Sequence, residues 1–199
     1  MSFRRSIGAA DPIGRRSFLA GAGAFVIGLG WDRGERGIAT LARLGSGDPD
    51  LVKIVEFTDD GRRTGVVRVP KVVKSESEWR EQLSPASFEI TRQDGTERPF
   101  SGALLDVHDK GVFRCICCDT ALFDSATKYE SGTGWPSFWQ PIARENVVEK
   151  SDTSLGMIRT AVSCTRCDAH LGHVFDDGPK PTGLRYCMNS VALRFAKAG

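Results

Sequence analysis

Hydrophobic positions along this chain fall mostly in short runs, not in long stripes of helical period. The first is different in kind: Ser17 to Trp31 contains 15 residues without a charge, with six glycines and alanines between Ala20 and Gly28 and apolar bulk from Phe25, Val26, Ile27 and Leu29. It is too short and too mildly apolar for a membrane span but has the size of a signal-peptide core. Leu51–Phe57 and Val66–Val69 are β-branched and predict two strands around an Asp59-Asp60-Gly61 turn. Ser75 to Leu83 predicts a helix: Ser75 or Ser77 caps it, carboxylates fill the first turn, Trp79 and Leu83 share a face at i and i+4, and Pro85 ends it. Beyond it, Phe88–Thr91, Val112–Cys115, Ile158–Val162 and Val191–Phe195 are the strongest strand candidates, separated by glycine, proline and aspartate. The body is therefore expected to be mainly β, with one or two short helices at its start.

Length and charge sharpen this picture. The 199 residues suffice for one ordinary domain plus an extension. Residues 1–45 carry seven arginines against Asp11, Asp32 and Glu35, so the overall charge of +2 conceals a body of net charge −2. A weakly acidic body lacks the basic face that nucleic acid requires, and no nucleic-acid partner is expected.

Arg15-Arg16-Ser17-Phe18-Leu19 ahead of the uncharged stretch resembles a bacterial twin-arginine export signal. It predicts an exported, periplasmic protein, or one held at the membrane if the signal stays uncleaved; the alternative is a buried or unstructured basic N-terminus. Gly37-Ile38-Ala39 has the small-x-small form of a cleavage site. The expected organisation is a signal and joint over residues 1–45, an accessory segment over 46–72 and the main domain over 73–196, with Gly45–Pro49 as a flexible joint where the first two meet.

Four of the six cysteines form two pairs, Cys115-x-x-Cys118 and Cys164-x-x-Cys167, 46 residues apart. Each turn sets two thiolates within reach of one ion, and two such turns complete a closed tetrahedral site, the geometry of structural zinc. Two disulfides or redox pairs would use the same spacing, and iron would accept the same ligands. Cys117 lies inside the first knuckle, as an incidental small residue or a spare thiol. Cys187 is separate, with Arg185 and Asn189 at i−2 and i+2; on a strand these share its face, and a nearby guanidinium lowers a thiol's pKa. His170 and His173 follow the second knuckle and are read as a catalytic pair, since four cysteines already complete a metal site. His108 is assigned no role.

The blocks Thr96–Gly102, Arg114–Cys118, Gly132–Phe138, Cys164–Phe175 and Arg185–Ser190 resemble, in order and spacing, the B-type methionine sulfoxide reductases over roughly Lys74 to Phe195. The resemblance implies two antiparallel sheets with zinc on the four cysteines, remote from the active site. It implies Cys187 as nucleophile, His170, His173 and Asn189 as the groups that position and protonate the substrate oxygen, and Arg185 beside them supporting the thiolate. Trp135 and Phe175 become the apolar wall for the S-methyl group. The implied reaction is thiol-dependent reduction of the R epimer of free or peptide-bound methionine sulfoxide; a monomer is expected, and export would make it a repair enzyme for oxidised exported proteins.

Many family members carry a resolving cysteine where this chain has Thr133, and threonine cannot form a disulfide with Cys187. Direct reduction by an external thiol donor is therefore expected, thioredoxin-like and outside the cytoplasm if the chain is exported; resolution by Cys117 would require an opened knuckle. A zinc-ribbon binding module would explain the four cysteines but not the histidines, the Trp135 block or Cys187. A degenerate oxidant sensor would follow if the loss of the resolving cysteine had abolished turnover.

Overall fold

The computed structural model describes residues 50–153 and 158–199. The twin-arginine stretch, the small-x-small site and the joint at Gly45–Pro49 lie outside the described residues. No helix among the described residues is long and apolar enough to cross a membrane.

The chain first forms a hairpin. Strand β1 (Leu51–Phe57) pairs antiparallel with β2 (Arg63–Pro70), and Gly61 adopts φ +82° in the connecting turn. Ile54 and Val55 turn inward and are buried, while every second residue of β2 faces out. The accessory segment is thus a strand pair seated on the main body. Asn146, fully buried, pins it there: its Oδ1 accepts from the Val55 N–H at 2.7 Å, and its Nδ2 donates to the carbonyls of Val55 at 2.8 Å and Ala121 at 2.7 Å.

Helix α1 (Glu76–Gln82) begins as the sequence predicts. Ser75 and Glu78 form a reciprocal capping box, satisfying two N–H groups that the helix itself leaves open. Trp79 and Leu83 are both buried. Pro85 does more than stop this helix. It occupies the first turn of α2 (Pro85–Gln93), where a missing N–H costs nothing, behind the cap Ser84. Phe88–Thr91, read from sequence as a strand, is the middle of α2. A four-residue apolar run does not distinguish strand from buried helix, and here the Ser84 cap and Pro85 decide it. Phe88 and Ile90 face the core, Ser87 Oγ donates to the Val191 carbonyl at 2.8 Å, and Arg92 donates to the Cys167 carbonyl at 2.8 Å.

The remainder is antiparallel sheet. A three-stranded sheet has the order β11 (Leu193–Lys197), β3 (Gly111–Cys115), β4 (Ala121–Asp124). A six-stranded sheet has the order β5 (Lys128–Tyr129), β6 (Ser137–Phe138), β10 (Arg185–Met188), β9 (His170–Phe175), β8 (Arg159–Cys164), β7 (Val147–Asp152). The expected mainly β body with two short helices at its start is what forms. Several strands carry too few apolar residues to be seen in the sequence: β5 and β6 are two residues each, and β7 is half exposed.

Aromatic rings join the two larger sheets. Phe138 of β6 stacks on Phe123 of β4 with centroids 4.4 Å apart and meets Phe113 of β3 edge-on at 4.9 Å. Tyr186 of β10 lies 5.8 Å from Phe123. Burying such rings removes 150–250 Å² each from water, so this cluster carries much of the driving force for the sheet contact. Its consequence for the site is positional, because Tyr186 precedes Cys187 and its inward anchoring turns Cys187 to the opposite face.

Candidate active site

Strand register assembles the site. Cys187 of β10 is directly opposed by Ser137 of β6 on one side and His173 of β9 on the other, and His173 in turn by Ala161 of β8. Opposed residues present their side chains on one face. Two residues along, Arg185 opposes Phe175, and its guanidinium lies 4.3 Å from that ring. Gly172 makes the tight β9–β10 approach possible: a Cβ there would meet the Cys187 carbonyl oxygen at 2.1 Å.

A small pocket of about 140 Å³ opens over this face, lined by Thr96, Trp135, Arg159, Gly172, His173, Phe175, Cys187 and Asn189. Trp135 and Phe175 supply aromatic walls, and Trp135 is held by donation from Nε1 to the Glu97 carbonyl at 3.1 Å. Asn189 lies beyond the strand, capping the 3-10 turn Ser190–Ala192. Its Oδ1 accepts from the Glu97 N–H at 3.0 Å and its Nδ2 donates to the Leu171 carbonyl at 3.0 Å. These bonds fix which way the amide points and leave one N–H of Nδ2 for the pocket.

Of the sequence-predicted residues, Cys187, His173, Asn189, Trp135 and Phe175 therefore share one pocket. His170 stands apart from its lining. It is buried, its ring 5.2 Å from that of His173, and it borders an adjoining cleft of about 660 Å³ with Asp94, Lys150, Asp152 and Asp168. Its Nδ1 is 3.9 Å from the Asp94 carboxylate, and its Nε2 is buried without a hydrogen-bond partner among the described residues. Burial, then the neighbouring His173, push its pKa below the ordinary histidine value, so the ring is held neutral.

Arg185 has a carboxylate partner as well as the sulfur. Its guanidinium makes a two-pronged pair with Asp177, Nε to Oδ1 and Nη2 to Oδ2, each at 2.8 Å. That pair lowers the Asp177 carboxyl and raises Arg185. Cys187 itself is pushed up: burial is the largest cause, and it outweighs the downward pull of the Thr133 hydroxyl and of Arg185. Arg185 pulls the sulfur toward the thiolate, but burial prevails and the resting sulfur is a thiol.

Sequence reading missed Asp177, Glu97, Asp152, Arg159 and Thr96. Glu97 organises two walls at once, because its backbone holds Asn189 and Trp135 while its carboxylate accepts from the N–H groups of Ser190 at 2.7 Å and Val191 at 3.2 Å. Asp152 accepts from His173 Nε2 at 2.9 Å. No local spacing signals the Glu97 and His173 contacts, which join residues 21 to 94 positions apart.

The four cysteines converge elsewhere. Cys115 ends β3 and Cys164 ends β8, and the turn after each has the same build. The cysteine carbonyl accepts from the N–H of Asp119 or Asp168 at 2.9 Å, and that aspartate is left-handed, φ 67° and 55° respectively. Aspartate is among the few residues that tolerate this conformation. All four sulfurs lie within 4.8 Å of one another, with Cys115–Cys167 at 3.6 Å and Cys118–Cys164 at 3.5 Å. Tetrahedral zinc–thiolate bonds of about 2.3 Å require sulfurs about 3.8 Å apart, so the residues fit a four-sulfur metal ion. Cys115, Cys164 and Cys167 are buried and no ligand position is left open to a substrate. Cys117 belongs with this cluster, against Cys115 and Cys167, and is absent from the Cys187 pocket.

Together, a two-sheet body, a closed four-cysteine knuckle and a separate thiol in an aromatic pocket define a small thiol-bearing β domain with a cysteine cluster fit for a metal ion. Residues 83–197 match the SelR domain family. The chain is 56% identical over 128 residues to the peptide methionine sulfoxide reductase MsrB of Hahella chejuensis, covering 64% of this chain and 92% of that protein. The MsrB of Thioalkalivibrio sulfidiphilus is 58% identical over 119 residues (60% of this chain, 87% of the relative), and that of Herminiimonas arsenicoxydans 54% over 125 residues (63% and 91%). The chain belongs to the SelR family, that of the B-type methionine sulfoxide reductases.

Proposed function

We propose that this enzyme reduces the R epimer of methionine sulfoxide in peptides and proteins by attack of Cys187 on sulfur. The observation that carries this reading is the pocket in which the Cys187 thiol, the His173 imidazole and the Asn189 amide converge between Trp135 and Phe175. A sulfoxide oxygen leaves only when protonated, and its sulfur yields to a thiolate, so the two groups must act from different sides. Cys187 serves the sulfur; His173 and the remaining Asn189 N–H serve the oxygen; the aromatic walls take the methyl group through apolar and sulfur–ring contact. Net, the thiol and the sulfoxide become a sulfenic acid on Cys187 and methionine, two electrons passing from one sulfur to the other.

With Thr133 unable to resolve the sulfenic acid, two external thiols do so, yielding a disulfide of the donor, water and the free Cys187 thiol. A thioredoxin-like dithiol fits this chemistry. Zinc is the ion that suits the four cysteines; bound there it staples the β3 turn to the β8 turn, as closed four-thiolate sites do. The twin-arginine motif at Arg15-Arg16 supports export to the periplasm and a repair role for oxidised exported proteins.

The test is an assay of the zinc-loaded chain with separate R and S sulfoxide peptides and dithiothreitol, beside Cys187→Ser. The expected result is R-only reduction that vanishes in the variant. Reduction of neither epimer would overturn the reading.

A further inference from the structure

Strands β7 and β8 reach the pocket together. Asp152 closes β7, Arg159 opens β8, and the two are directly opposed in register. The Asp152 Oδ2 accepts from Arg159 Nη2 at 2.7 Å and from His173 Nε2 at 2.9 Å. The three side chains are only 18%, 21% and 12% exposed, so solvent screens the cluster weakly. His173 and Arg159 line the Cys187 pocket, whereas Asp152 lines the adjoining cleft behind them and does not touch the space above the sulfur.

We propose that Asp152 is a positioning residue for His173, an inference that rests on reading His173 as the proton donor. By taking the Nε2–H, Asp152 fixes the ring's rotation and tautomer and leaves Nδ1 as the nitrogen that serves the sulfoxide oxygen. Paired with the Arg159 guanidinium, the carboxylate keeps its negative charge and holds the Nε2–H throughout the proton transfer, as a carboxylate does for a histidine that must keep one orientation. The proton balance then closes inside the pocket. The proton that leaves the Cys187 thiol is carried on the imidazolium, passes from Nδ1 to the oxygen as the sulfur–oxygen bond of the substrate breaks, and leaves a neutral ring whose Nε2–H still rests on Asp152. Among the described residues, the charged and titratable groups nearest His173 are Asp152 from β7, Arg159 from β8, His170 from β9 and Cys187 from β10, and the cleft it borders adds Asp94, Lys150 and Asp168. Asp152 is the anion in direct hydrogen-bond contact with the ring.

The experiment compares the full chain with Asp152→Asn and Asp152→Ala, using an R-sulfoxide peptide and dithiothreitol, with long-range proton–nitrogen NMR of the histidine rings. In the unaltered protein His173 is expected as the Nε2-protonated tautomer. In Asp152→Asn and Asp152→Ala, kcat is expected to fall about 10-fold or more with KM changed by less than about twofold, and in Asp152→Ala the His173 ring is expected to lose its single Nε2-protonated tautomer. A merely structural role would lower activity without changing that tautomer. An Nδ1-protonated His173 in the unaltered chain, or an unchanged tautomer in a folded, zinc-loaded Asp152→Ala, overturns the proposal. The tautomer is read without turnover, so an inactive unaltered chain would defeat the proposed function while the NMR result still decides what Asp152 does to the ring.

Discussion

The Thr133 hydroxyl lies 3.9 Å from the sulfur of Cys187. Thr133 is held there by Ser131, whose hydroxyl bonds its own at 2.8 Å and also that of Ser137 at 2.7 Å. A cysteine at position 133 would therefore put a second sulfur within a small rotation of the nucleophile, where a bond of about 2.05 Å can close. Thr133→Cys is expected to trap a 133–187 disulfide after one turnover, seen by peptide mapping, and to raise turnover with a protein dithiol relative to a monothiol donor. Mapping that finds Cys187 still unpaired would show the strand geometry forbids closure.

Burial holds the Cys187 thiol above the ordinary range. A raised thiol is protonated at neutral pH, so alkylation by iodoacetamide should climb with pH and not yet have levelled off at about 8.5, the value of an unperturbed cysteine. Arg185→Gln removes one of the pulls toward the thiolate and should slow alkylation further at any fixed pH. A rate plateau below pH 7 would mean that the resting sulfur is a thiolate.

Metal removal should act on the fold first. The cluster ties the ends of β3 and β8 and, through the Arg92 bond to the Cys167 carbonyl, helix α2. Chelation, or Cys118→Ser, is expected to lower the Tm and to lose activity in step with folded signal. Cys117→Ser should retain a full complement of metal. Elemental analysis beside thermal melts separates the two cases, and a chelated protein with unchanged Tm would contradict the stapling role.

Asn146 completes three hydrogen bonds at the junction of the hairpin and the body, all at 2.7–2.8 Å and fully buried. Asn146→Ala leaves an N–H and two carbonyls without partners, at about 1–3 kcal/mol for each buried orphan group. Urea unfolding should show a loss of about 3 kcal/mol or more, with earlier proteolysis within residues 51–70. An effect below about 0.5 kcal/mol would mean that the hairpin is held by other contacts.

At Gly172 any side chain would collide with the Cys187 carbonyl. Gly172→Ala must push β10 away from β9, at a cost of about 1–3 kcal/mol for an overpacked site, and it displaces the nucleophile from His173. Both a lower Tm and a kcat loss larger than that of a remote variant of equal stability are expected; wild-type kcat in the variant would show that the strands part without moving the sulfur.

Local spacing settled a good deal. The capping box at Ser75 and Glu78, the hairpin turn at Gly61 and the two Cys-x-x-Cys turns are made by residues a few positions apart, and such interactions form wherever the tertiary structure later carries them. The motif blocks likewise sufficed to name the family, because several blocks in order rarely recur by chance. The same reading mistook Phe88–Thr91 for a strand, since a short apolar run is silent about its own geometry until a neighbouring cap speaks for it. Only the folded chain decided which polar groups meet. Asp177 with Arg185, Asp152 with His173 and Glu97 with Asn189 are joined by strand register and loop closure, and a one-residue slip in register would turn every side chain on a strand to the opposite face. The protonation of Cys187 is tertiary for the same reason. Sequence places an arginine two residues away and argues for a thiolate, but the depth of burial and the claim of Asp177 on that arginine are set by packing, and burial prevails.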